Sequence, residues 1–133
     1  MRCVFDTNVI VSAALFEHSK PAQALNKAFN DGEVLVSQTT EKELEEIFFR
    51  TKFDPYTTIE ERTEFLHYFF QQATKIEITK KVSICRDPKD NMILELAVSG
   101  QADVIITGDK DLLDLNPFEG VPVLLPTDFL KLH

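Results

Sequence analysis

The sequence predicts an α/β fold, a three-layer α/β/α sandwich with a central, mostly parallel sheet, and three observations carry the prediction. The start of the stretch 2–13, Val34–Ser37 and Val104–Thr107 are short apolar runs of the kind found in strands covered on both faces. Segments of helical periodicity separate these runs, which is the alternation that parallel strands and their crossover helices require. The first and last of the three runs also end in acidic turns, Asp6-Thr7-Asn8 and Gly108-Asp109-Lys110-Asp111. In open parallel sheets ligands bind beyond the carboxyl ends of the strands, so these turns mark the mouth of a site.

Taken in order, Val9–Leu15 continues the first apolar pattern into a short helix or turn, and Ser19-Lys20-Pro21 starts a second helix with Pro at its first turn. Ala22, Leu25, Ala28 and Phe29 follow at helical spacing, and Gly32 stops the segment. After the strand at Val34–Ser37, Thr40 and Glu43 have capping-box spacing and predict a helix with Leu44, Ile47 and Phe48 on one stripe. Lys42 with Glu46 and Glu46 with Arg50 are i,i+4 pairs on its wet side. Phe53-Asp54-Pro55 breaks the pattern, and Thr58 with Glu61 caps a further helix whose apolar face is Phe65, Leu66, Phe69, Phe70 and Ala73. At helical spacing that aromatic stripe reads as core or subunit interface rather than as a base-stacking surface.

Lys75–Thr79 alternates like a strand, and Asp87-Pro88 leads into a helix that runs to Ser99, with Ile93, Leu96 and Ala97 inward and Gly100 just past its end. Val121–Leu125 reads as a last strand, and Pro122 puts it at a sheet edge. Thr127–Leu132 closes the chain as a short helix. With 133 residues, 44% of them apolar, and no repeat or linker, residues 1–133 form one domain. No apolar run approaches the roughly 18 residues of a membrane span, and there is no secretory leader pattern. Cys3 and Cys85 lack metal-ligand spacing and read as buried thiols in a reducing, cytoplasmic setting.

A net charge of −8 argues against a general electrostatic grip on nucleic acid. A phosphate-bearing substrate would need a local device, either a divalent cation or a small basic cluster such as Arg86, Lys89 and Lys110. Asp6 and Asp109 converge at one sheet edge, and Glu43 and Asp90 approach that edge from the first turns of their helices. Each acid alone has an ordinary structural account: Asp6 an Asx turn, Glu43 the capping partner of Thr40, Asp90 an acid at a helix start, Asp111 an exposed turn residue. Together they repel unless a cation neutralises them. Oxygen donors without neighbouring His or Cys suit Mg²⁺ or Mn²⁺. The histidines at 18, 67 and 133 fall outside the group, and no glycine-rich phosphate loop is present.

Phe5-Asp6-Thr7-Asn8, Glu43-Leu44, Asp87-Pro88-Lys89-Asp90-Asn91 and Thr107-Gly108-Asp109-Lys110-Asp111-Leu112, in that order, resemble the PIN-domain ribonucleases, in particular the branch of toxins from prokaryotic toxin-antitoxin systems. The resemblance implies a Mg²⁺- or Mn²⁺-dependent endoribonuclease acting on single-stranded RNA by water-mediated hydrolysis. Asp6, Glu43, Asp90 and Asp109 match the acidic quartet, and Asp111 matches a further acid that many members carry. Thr7, Asn8 and Thr107 match the polar residues that brace the site, and Arg86, Lys89 and Lys110 are candidates to hold RNA. Glu41, Glu45 and Glu46 share the helix with Glu43, which only the Glu-Leu-x-Glu-Ile-Phe pattern singles out. An antitoxin partner and a homodimer are also implied. The competing reading is a non-catalytic PIN-like interaction module, against which the intact set of acids counts. A receiver or haloacid-dehalogenase-like phosphoacceptor needs a second acid beside the first or two residues on, where this chain has Phe5, Thr7 and Asn8.

Overall fold

The computed structural model describes residues 1–132, so His133 lies outside the described residues. Five parallel strands form one sheet in the order β3-β2-β1-β4-β5: β1 (Arg2–Phe5), β2 (Glu33–Val36), β3 (Thr74–Lys75), β4 (Val104–Ile106) and β5 (Val123–Leu124). The chain builds outward from β1 in one direction through β2 and β3, then crosses back to add β4 and β5 on the other side. The crevice between the carboxyl ends of β1 and β4 is therefore the switch point at which such sheets bind ligands.

Alternate side chains of the strands feed two cores. Cys3, Phe5, Val34, Val36, Val104 and Ile106 pack under α1 (Thr7–Leu15), α2 (Lys20–Asp31), α3 (Gln38–Phe48), α4 (Ile59–Gln72) and α7 (Pro126–Phe129). Val4, Leu35, Ile105 and Val123 face α5 (Pro88–Ser99) and α6 (Lys110–Leu113) on the other side. Both faces are covered, which is why the buried parts of β1, β2 and β4 read as continuous apolar runs instead of alternating ones. The predicted three-layer α/β architecture is the one observed.

The helix starts are set by local chemistry. Ser19 caps α2 by accepting from Ala22 N, and Thr58 and Glu61 form the predicted capping box of α4. The start of α3 differs from the expectation. Ser37 is its N-cap and Thr40 closes the capping box, so the helix begins three residues early and Glu43 lies in the second turn, not the first. The pairs Lys42–Glu46 and Glu46–Arg50 do not form ion pairs among the described residues; Lys75 instead reaches Glu41 at 3.5 Å.

The strand expected over Lys75–Thr79 is confined to Thr74–Lys75, after which Ile76 makes one further bond to Val36 O. Beyond it the backbone is held by side chains of α5, Ser99 Oγ accepting from Thr79 N and Lys80 N and Glu95 from Val82 N. Both thiols are free, Cys3 buried as expected and Cys85 only partly so. On the aromatic helix Leu66 and Phe69 are core, Phe65, Phe70 and Ala73 pack at its margin, and Tyr68 points outward at 65% exposure. No described helix is long and apolar enough to cross a membrane.

Candidate active site

The pairing register of β1 with β4 matches Phe5 with Ile106, so the next residues, Asp6 and Thr107, leave the sheet side by side. Asp6 N continues the ladder by bonding Ile106 O. Its carboxylate accepts from Thr107 Oγ1 at 2.8 Å and from Asn8 N at 3.2 Å, the second bond capping α1. The Asx role and the position at the site's mouth thus coexist in one residue. Burial pushes the Asp6 pKa up, against those two hydrogen bonds, and the charges of Asp109 and Asp87 push the same way.

Thr107 links the two acidic turns, because its hydroxyl oxygen also accepts from Asp109 N at 3.0 Å. Asp109 then caps α6 by accepting from Asp111 N at 2.9 Å. One carboxylate oxygen each of Asp90, Asp109 and Asp111 lies within 4.8 Å of the others. Asp90, on the first turn of α5, is the buried member of this trio, and its side chain lies within hydrogen-bond reach of the Asp109 carboxyl. Burial first, and then the repulsion of Asp109, drive its pKa up to about 7. Arg86 reaches the trio only at its exposed member, Asp111, so the buried Asp90 carboxylate faces Asp109 with no protein cation paired to either, which leaves a local deficit of positive charge. The all-oxygen donor set fits a hard divalent cation such as Mg²⁺ or Mn²⁺.

Glu43 borders the trio rather than joining it. Thr7 Oγ1 donates to its Oε2 at 3.3 Å, and burial raises its pKa against the pull of that bond and of Lys89. Of the four glutamates on α3 it is the one turned toward β1, since Glu41 pairs with Lys75 and Glu45 and Glu46 are exposed. The basic candidates separate as well. Arg86 grips both oxygens of Asp111 at 2.8 and 3.0 Å, and Lys110 pairs with Asp114, whereas Lys89 has no ion pair among the described residues. The sequence reading overlooked Asp87 as a member of the site. It caps α5 through Lys89 N, and its charge bears on Asp6, Glu43 and Asp90. An Asp immediately before a Pro at a helix start was the available signal.

An open parallel sheet with acidic turns after β1 and β4 and an acid at the start of α5 defines a class of α/β proteins that gathers carboxylates at one switch point. The PIN domain family profile matches residues 2–111, and the chain belongs to that family. The uncharacterized protein MJ1680 of Methanocaldococcus jannaschii is 34% identical over 119 residues, which cover 86% of this chain and 75% of that protein. Among solved structures, the crystal structure of VapBC2 from Rickettsia felis bound to a DNA fragment from its promoter contains a similar chain. It superposes with a TM-score of 0.63 at 15% identity, covering 92% of this chain and 97% of the other, which is a likeness of fold.

Proposed function

We propose that residues 1–133 are a single PIN-like nuclease domain, a metal-dependent endoribonuclease that cleaves single-stranded RNA and acts as the toxin of a cytoplasmic toxin-antitoxin pair. The observation that carries this reading is the Asp90–Asp109–Asp111 group, with its buried, uncompensated acid, at the switch point of a PIN-domain sheet. Asp90, Asp109 and Asp111 would hold Mg²⁺ or Mn²⁺, with Asp6 and Glu43 completing the acidic border. When bound, such an ion supplies a polarised phosphoryl oxygen and a more acidic water. Thr107 orients Asp6 and Thr7 orients Glu43. Likeness of fold to a chain of the VapBC2 assembly supports an antitoxin partner. The outward Tyr68, beside a groove between α2 and α4 that Leu25, Phe29 and Phe65 line, supports a homodimer.

The test is cleavage of an unstructured RNA by wild type, Asp109→Asn and Glu45→Gln purified identically. Asparagine keeps the α6 cap while removing the charge, so Asp109→Asn folds and loses orders of magnitude in rate, each 1.36 kcal/mol of lost transition-state stabilisation being about tenfold. EDTA abolishes wild-type cleavage and Mn²⁺ restores it, while Glu45→Gln cleaves normally. Equal residual activity in wild type and Asp109→Asn would put the non-catalytic interaction module in place of the nuclease.

A further inference from the structure

Two clefts flank the acidic edge, and they differ in charge. On the α1 side, a cleft of about 540 Å³ opens between Asp6, Ser12, Pro21, Gly108, Asp109 and Pro126, with no basic side chain in its wall. On the other side, a cleft of about 390 Å³ lies between the first two turns of α3 and the start of α5, walled by Lys42, Glu43, Glu46, Lys89 and Met92. Lys42 and Lys89 are exposed and make no ion pair among the described residues. Half of the other basic groups are committed to ion pairs, Arg2 to Glu33, Arg62 to Asp54, Lys75 to Glu41, Arg86 to Asp111, Lys110 to Asp114 and Lys131 to Asp128, and of those left unpaired among the described residues only Lys42 and Lys89 line a cleft beside the acids.

We propose that the α3/α5 cleft is the subsite for the nucleotide flanking the scissile phosphate, with Lys42 and Lys89 gripping its phosphate and Met92 lying against its base or sugar. This rests on the nuclease reading of the adjoining acids. The volume falls in the ~300–1,000 Å³ range of small-ligand sites and suits one nucleotide, not a duplex. Glu43 and Glu46 make the wall mixed in charge, so the grip is local: a phosphate is favoured between the two ammonium groups and disfavoured toward either glutamate. The strand therefore enters or leaves the acidic edge on the α3/α5 side, and the α1-side cleft, whose charged walls are the acids Asp6 and Asp109, takes the neighbouring nucleotide without a basic contact.

The experiment is fluorescence anisotropy of a labelled single-stranded oligoribonucleotide across a salt series, in an Asp109→Asn background so that the probe survives. Lys42→Ala and Lys89→Ala should each weaken binding several-fold, and the double variant should lower the slope of log K against log salt by about 0.7, the value for one single-strand phosphate contact. Lys52→Ala, outside the cleft's wall, should change neither. In the cleavage-competent protein the double variant should raise KM with little change in kcat. Unchanged affinity and slope in the double variant, with the wild type still cleaving RNA, would overturn the subsite and leave the nuclease standing. Absence of both RNA binding and cleavage in the wild type would remove the nuclease and the subsite together. Unaltered RNA binding with lost binding of a polyglutamate peptide would assign the cleft to an acidic protein segment and overturn the proposal.

Discussion

Replacing Asp90 by Asn should stabilise the metal-free protein while disabling it. The folded state holds the Asp90 proton to about pH 7, whereas an unfolded aspartate releases it near 3.9. A folded-state pKa raised in this way means that folding takes up a proton between these values. Stability owed to Asp90 is therefore complete below about pH 4, falls as pH rises toward 7 and is flat above it. Three units at 1.36 kcal/mol each bound the loss at about 4 kcal/mol. An amide at that position still bears part of the desolvation cost, so the expected gain for Asp90→Asn at pH 8 in EDTA is about 2 kcal/mol, or roughly 8 °C in Tm. Thermal unfolding of both proteins in EDTA from pH 4 to 8 should show the wild type declining relative to the variant and then running parallel to it above pH 7. Adding Mn²⁺ at pH 8 should reverse the order, because an ion that binds only the folded state stabilises it by RT ln(1 + [L]/Kd) and the variant binds it less tightly. A variant less stable than wild type at pH 8 in EDTA, or a difference that does not vary with pH, would refute the account of the cluster as a site of unrelieved repulsion.

Thr107→Val keeps the shape of the residue but strips a hydrogen bond from the buried Asp6 carboxylate and an acceptor from Asp109 N, so it should cost about 1–3 kcal/mol in urea unfolding and depress cleavage. The Arg62 side chain is fully buried, with Nη2 on Asp54 and Thr57 O but Nε and Nη1 without partners. Arg62→Met should therefore be neutral or stabilising by up to about 4 kcal/mol, and Arg62→Ala destabilising by about 3 kcal/mol, as read from urea midpoints. Phe69→Ala should cost about 3–5 kcal/mol because Phe69 is core. Tyr68→Glu should leave circular dichroism unchanged and, if the α2/α4 groove joins two copies, convert a dimer to a monomer in light scattering.

The strands that carry the site were readable because their environment is uniform. Buried on both faces, β1 from Cys3 onward and β4 throughout could be apolar, and the first polar residue after each marked its end. What misled was competition between equivalent signals. Ser37 with Thr40 and Thr40 with Glu43 offer the same three-residue spacing, and the choice is made by where β2 stops pairing with its neighbours, which is a tertiary event. The alternation after Lys75 is real, since Ile76, Ile78 and Val82 all pack on the second core, but Glu95 and Ser99 of α5 stand in for the missing strand partner. Separation of the basic residues into committed and uncommitted ones also lay beyond the sequence, because Arg86 meets Asp111 across 25 positions of chain.

Asp6, Asp87 and Asp109 each cap a helix with the same carboxylate that they bring to the acidic edge, whereas Glu43 and Asp90 cap nothing. Loss of a capping side chain to Ala costs about 1 kcal/mol, and Asn or Ser largely prevents that loss. A gene copy released from selection for activity would therefore decay unevenly. Positions 43 and 90 would drift first and freely, the latter even with a gain in stability, while positions 6, 87 and 109 would stay within the small set of residues that can begin a helix. An inactive descendant of this chain should thus still look half-armed, with its caps intact and its uncapped acids gone.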